Sequence, residues 1–207
     1  IGVLSINPKR KYLFNKESVS FLNDFISKNI NNHNKLLNDR KMSLENKTNY
    51  DLSFRDDTEW IRNDKSWKAS HIPDDLKKRH VEITGPTSDT KMMINALNSN
   101  ANCYMTDIED SLSPNWNNIQ NAHHNIYKAI RGDLKHTKLH DNGLKRNIKQ
   151  VYDIKPDTPT LLVRTRGLHL KEDNILDDSG NPVPAILVDM GLHVYHNSKI
   201  LSKNNGY

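Results

Sequence analysis

Leu161, Leu162 and Val163 form a short continuous apolar run that passes directly into Arg164-Thr-Arg-Gly-Leu-His169. An unalternating run of that length is the mark of a strand buried on both faces, as in a parallel sheet covered by helices. It constrains the fold to α/β and places Arg164 at the C-terminal end of the strand. Ligands bind at that edge of parallel α/β sheets, where a guanidinium meets a carboxylate, a phosphate or a developing oxyanion. An arginine pairing with a carboxylate of a neighbouring strand is the structural alternative, and the segment alone leaves both open.

The upstream chain carries the same texture. Val81-Glu-Ile-Thr84 reads as a strand ending at a Gly85-Pro86 turn, and Asp89 to Asn100 as a helix with Met92, Met93, Ala96 and Leu97 on its buried side. Asn102 to Thr106 is a second strand, followed by Asp107-Ile-Glu-Asp110, a Ser-Pro turn and a helix through Trp116, Ile119, Ala122, Ile126 and Ile130. Gly132 to Pro159 reads as a polar excursion or hairpin before the strand at Thr160; Asp177 to Pro182 is a turn, and Ile186 to Leu201 a further helix. Alternating strands and helices predict a parallel sheet. A complete (β/α)8 TIM barrel takes about 250 residues, so Val81 to Asn204 is expected to hold the first part of one, in a chain truncated at both ends.

Before this region the pattern is helical. Val19, Leu22, Phe25, Ile26, Ile30 and Leu37 fall at helical spacing from Glu17 to Leu37, with Asn15 as the cap. Residues 38–57 are polar and aperiodic and read as an extended connector or disordered loop. Ile72 to Leu76 starts a short helix. The expected division is an N-terminal helical segment over 1–75 and the incomplete barrel over 76–207.

Composition narrows the function classes. Of 207 residues 35% are apolar and 27% charged, which fits a globular chain. The net charge of +5 is interspersed, and Lys9-Arg10-Lys11 is too short to be a nucleic-acid footprint. Cys103 is the only cysteine, which excludes an intrachain disulfide and fits a reducing compartment. No apolar run reaches the length of a membrane helix. The expectation is no nucleic acid, no membrane and a cytoplasmic location.

Asp107, Glu109 and Asp110 share the sheet edge with Arg164. Three neighbouring carboxylates need compensation, from a hard cation such as Mg²⁺ or from Arg164 and Arg166, unless they cap the following helix. Gly85-Pro86-Thr87 matches no phosphate-loop pattern and reads as an ordinary turn. The adjacent His123 and His124 lack the i,i+4 partner of a metal pair, and His169 reads as either a ligand-orienting or a structural histidine.

Taken together, Val81 to Pro86, Lys91-Met92, Ile94 to Asn98, Met105, Asp107, Glu109-Asp-Ser111, Arg164, Arg166-Gly167, His169-Leu170 and His196-Asn197 resemble the malate synthase family in its shorter isoform. The similarity runs from about Trp67 to the end and is weaker over the N-terminal helix. The resemblance implies a Mg²⁺-dependent acyltransferase of the glyoxylate bypass, condensing acetyl-CoA with glyoxylate to malate and CoA on an eightfold barrel. It implies that Arg164 is the catalytic arginine and that Asp107, Glu109 and Asp110 line the metal pocket. The direct metal carboxylates and the aspartate base would lie beyond Tyr207, so these 207 residues alone are expected to be inactive. A eukaryotic member would be peroxisomal or glyoxysomal. His123 stands where the family usually has glutamine, and Ile186-Leu-Val188 replaces Ser-Leu-Phe before Asp189. The alternatives are a non-catalytic remnant or interaction module and another acyl-CoA lyase or synthase on a related barrel.

Overall fold

The structure, a computed structural model, describes residues 1–3, 6, 8–45, 53–141 and 147–203. Strand β1 (Gly2–Val3) and a 3-10 turn (Pro8–Phe14) precede helix α1 (Lys16–Glu45). The Asn15 side chain accepts the Ser18 amide at 2.8 Å, the expected cap. The helix runs on to Glu45, past the expected end at Leu37. Its apolar stripe fades there, but Lys, Arg, Met, Leu and Glu are good helix formers and the i,i+4 pairs Lys35–Asp39 and Lys41–Glu45 bridge successive turns. The expected connector is thus helical over its first residues, and a 3-10 turn (Asp56–Thr58) leads into the short α2 (Glu59–Asn63) at its end. Residues 46–52 lie outside the described set. Asp74–Leu76 forms a single 3-10 turn rather than a helix start.

The remaining elements are β2 (Glu82–Pro86), α3 (Thr90–Leu97), β3 (Cys103–Asp107), α4 (Trp116–Ile130), β4 (Lys135–Asp141), β5 (Asn147–Asp153), β6 (Thr160–Arg164), β7 (Lys171–Leu176), β8 (Pro182–Pro184) and α5 (Ala185–Leu201). Strands β2, β3 and β6 pair in parallel in that order. Among the described residues this sheet is open: no closed barrel is formed. The polar excursion is the antiparallel hairpin β4–β5, one of the two forms expected for it. An antiparallel sheet of order β1-β7-β8 was not foreseen; it rises from the turn at Asp177 to Pro182, where Asp177 accepts the amides of Ser179 and Asn181. Among the described residues no helix is long and apolar enough to cross a membrane.

Burial revises two expectations. The strand covered most completely is β3, whereas every residue of β6 is half-buried. The reason is position: β3 is central and β6 is the outer strand. On α3, Met93, Ile94 and Leu97 are buried but Met92 is 52% exposed. Asp89 caps α3 through the Met92 amide, and at 100° per residue Met92 turns out of the buried stripe.

Two apolar clusters hold the layers together. Met93, Ile94, Leu97, Tyr104, Ile119, Ala122 and Ile126 fill the space between the parallel sheet and helices α3 and α4. Leu13, Leu22, Ile26, Ile175, Val183, Val188 and Leu192 join α1, α5 and the antiparallel sheet. Helix α1 packs against α5 at Gly191, where an added Cβ would lie 2.7 Å from Leu22 Cδ1 and 3.3 Å from Phe25 Cδ1. Arg131 of α4 donates to Asn197 Oδ1 and to the His196 carbonyl, tying α4 to α5.

A buried ionic network lies where α4, α5, β7 and the segment after β6 meet. Arg166 donates from Nε to Asp189 Oδ2 at 2.9 Å and from Nη2 to Oδ1 at 2.8 Å, and its backbone amide reaches the same Oδ2 at 3.0 Å. Its Nη1 meets Glu172 Oε2 at 2.7 Å, and His123 Nε2 lies 3.0 Å from Asp189 Oδ1. Burial by itself pushes the Asp189 carboxyl up, but the bonds from His123 and Arg166 outweigh it and hold the group well below the usual carboxylate range.

Two outcomes are expected. Gly191→Val should destabilise the chain by about 1–3 kcal/mol through overpacking, and Gly191→Ala by less, because alanine regains about 1 kcal/mol of helix propensity; urea unfolding of both variants measures this. A carboxyl held low in the folded state stabilises fully above its unfolded pKa of about 3.9 and loses that contribution as pH falls further. Urea midpoints should therefore drop with pH below about 4, and Asp189→Asn should flatten that slope.

Candidate active site at the sheet edge

The parallel register brings three strand ends level: Asp107 lies opposite Pro86 on one side and Arg164 on the other. Asp107 is buried, and its Oδ1 accepts the amides of Glu109 at 2.9 Å and Asp110 at 3.1 Å. Its Oδ2 accepts the Ser111 hydroxyl at 2.8 Å and faces Arg164 Nη1 at 3.4 Å. Burial raises the Asp107 carboxyl, but the Asp110 amide, the Ser111 hydroxyl, the Glu109 amide and Arg164 together bring it below the ordinary value. It therefore stays ionised as the anchor of the turn.

Arg164 Nη2 meets Glu109 Oε2 at 2.9 Å and Asp110 Oδ2 at 2.6 Å. The hydrogen bond to Asp110 is the main reason that its guanidinium is held above its ordinary value. One guanidinium faces three carboxylates, so the edge retains negative charge. Nη1, with only the long contact to Asp107, keeps donor capacity toward an incoming oxygen. At 38% exposure the side chain is reachable from solvent.

Arg164, Asp107, Glu109 and Asp110 are thus brought together, and the pairing alternative is realised for Arg164. It is not realised for Arg166, which turns inward to Asp189 and Glu172. The difference is where the strand stops. Residues i and i+2 share a face only within a strand, and β6 ends at Arg164.

Neighbouring candidates resolve separately. Gly85 and Pro86 are not the expected turn but the last residues of β2, paired with Thr106 and Asp107; the chain bends at Thr87, which is buried, its carbonyl accepting Asn125 Nδ2 at 2.7 Å and its hydroxyl donating to the Asp107 carbonyl at 3.4 Å. His123 and His124 diverge as adjacent helical residues must. His124 Nδ1 sits 2.6 Å from the Tyr12 hydroxyl, and its pKa is lowered to about 4 by burial, with Arg10 and Lys128 adding to the shift. His169 is exposed, with its ring beside Gly167. At Gly167 an added Cβ would lie 2.5 Å from Glu109 Oε1 and 3.1 Å from the His169 ring, so a side chain there would displace the Glu109 carboxylate.

For Mg²⁺ the donor set does not fit. Both Asp107 oxygens are engaged, Glu109 and Asp110 are turned to Arg164, and among the described residues no three His, Cys, Asp or Glu side chains are arranged to hold a metal ion. Asp189 and Glu172 were missed as members of the supporting network. A signal was present for Asp189: a lone carboxylate inside the apolar run Ala185 to Leu192 is a buried charge that demands a cationic partner.

Comparison with known proteins agrees with this architecture. Residues 160–206 match the family model described as malate synthase, TIM barrel domain. Malate synthase A of Escherichia coli (strain K12) is 36% identical over 200 residues, covering 96% of this chain and 36% of that protein. A glyoxysomal malate synthase of Candida tropicalis is 38% identical over 202 residues, covering 96% of this chain and 35% of that protein. A bifunctional glyoxylate cycle protein of Caenorhabditis elegans is 40% identical over 169 residues, 78% of this chain and 16% of that protein. The chain thus spans about a third of the length of the first two relatives and less of the third. Identity of 36% and 38% over 96% of the chain, with the family-model match at its C-terminal strands and helix, places the chain in the malate synthase family.

Proposed function

We propose that the protein acts as a malate synthase, joining the methyl carbon of acetyl-CoA to the aldehyde carbon of glyoxylate, with water then cleaving the thioester to release malate and CoA. The observation that carries this reading is Arg164, solvent-accessible at the C-terminal edge of three parallel strands and fixed there by Asp107, Glu109 and Asp110. The names of the relatives support the same chemistry. Parallel strands in the order β2-β3-β6, with α3 after β2, α4 after β3 and α5 reached from β6 through β7 and β8, match how an eightfold barrel begins, and we read the sheet as that opening.

Removing a methyl proton from acetyl-CoA creates an enolate oxygen. A positioned guanidinium stabilises that developing charge more than it stabilises the neutral thioester, which is what lowers the barrier. Arg164 has the donors for this, and its carboxylate partners keep it charged and oriented. Glu109 and Asp110 are committed to Arg164, so the proton-accepting base is not assigned to them. Mg²⁺ dependence is part of the proposal by resemblance. The described residues offer it no ligand cluster, and no step above runs through it. The glyoxysomal relatives favour a peroxisomal or glyoxysomal location for a eukaryotic chain.

Arg164→Lys keeps the charge and loses the planar fork, and turnover should fall on the order of a hundredfold with little change in the unfolding midpoint. Arg166→Ala should do the reverse first: it strips Asp189 and Glu172 of their partner and should cost about 3–5 kcal/mol of stability. Thiol release dependent on both substrates, paired with urea unfolding, separates the two. Loss of turnover at Arg166 without loss of stability would assign the chemistry to the wrong arginine.

A further inference from the structure

We infer that His33 of α1 is a positioning residue for Arg164, so that the N-terminal helix tunes the reaction through a bond to Leu168, 135 residues along the chain. This rests on the malate synthase reading. His33 is buried, and its Nε2 donates to the Leu168 carbonyl at 2.7 Å. Leu168 follows Gly167, where an added Cβ would lie 2.5 Å from Glu109 Oε1, so any side chain there must displace the Glu109 carboxylate. Glu109 in turn holds Arg164 Nη2 at 2.9 Å. The path therefore runs from His33 through the Leu168 carbonyl and Gly167 to Glu109 and Arg164.

Other restraints act on the near side of this segment. Arg166 is fixed by Asp189 and Glu172, and Leu170 is held by the Ala185 amide and by its own bond to the Gly167 carbonyl, so the His33 bond acts at the middle of a segment pinned at both ends. On the far side a cleft of about 180 Å³ lies among α1, Leu168 and α5, lined by Phe25, His33, Leu36, Leu168, Leu187 and Met190. The His33 bond links α1 to the segment at this cleft. Catalytic geometry is sensitive to such support, because a misplacement of an ångström costs up to a hundredfold in rate.

The test is made on the protein as the cell produces it. His33→Ala should lower kcat about tenfold with KM for acetyl-CoA changed less than about twofold, and His33→Gln, which keeps a donor and most of the volume, should restore it. Gly167→Ala should reproduce the kcat loss by displacing Glu109, and Asn29→Ala, which removes a bond made within α1 to the Phe25 carbonyl, should leave kcat unchanged. Hydrogen exchange at the Leu170 amide, bonded to the Gly167 carbonyl, should quicken in His33→Ala. A lowered unfolding midpoint with unchanged kcat and unchanged exchange overturns the inference. If the wild-type protein shows no condensation, the functional reading fails. The exchange result then decides the positioning role alone: faster exchange sustains it and unchanged exchange removes it.

Discussion

The bidentate pair between Arg166 and Asp189 is the constraint on which the rest of the structure depends. Arg166 is 2% exposed and Asp189 fully enclosed, so neither charge survives there without the other. A buried pair of this kind is weak evidence of added stability, since desolvation consumes most of the attraction. What it supplies is geometry. The planar fork admits one approach of α5 to the end of β6, while Glu172 draws in β7 and His123 draws in α4. Among the described residues no buried side-chain nitrogen or oxygen is left without a partner, as a network of this kind requires.

Two arginines separated by one residue thus divide the work by depth. Arg164, the last residue of its strand, stays at the rim with three carboxylates around it; Arg166, just past the strand, becomes part of the interior. Each guanidinium makes three contacts with carboxylates, but the rim one is 38% exposed and the interior one 2%. A charge that has to meet a substrate must be reachable, whereas one that locks helices together is best enclosed.

Much of this was legible in the sequence, for physical reasons. The apolar run ending at Arg164 and the acidic cluster after Thr106 located the strand ends, because buried strands announce themselves by hydrophobicity and carboxylates rarely cluster without a cation. The turn residues from Asp177 to Pro182 were equally plain. What they did not reveal was that β7 and β8 flank them and recruit β1, since strands of two to six residues with charged faces carry almost no periodic signal. The extension of α1 was hidden for a related reason: a solvated helix needs no apolar stripe. The inward turn of Arg166 and the role of His33 depend on contacts far apart along the chain, which no local pattern encodes.

The hairpin between α4 and β6 bears on how the edge assembles. Val81 and Asn102, at the start of the β2–β3 pair, are 21 residues apart, whereas Asp107 and Arg164 are 57 apart. By loop-closure entropy alone the second pairing costs about 0.9 kcal/mol more than the first. Strands β4 and β5 pair with each other across a short connection, and this local event shortens the effective tether before β6 docks. Chain entropy thus favours forming the β3 side of the rim, with its carboxylate turn, ahead of the more distant pairing that brings in the arginine.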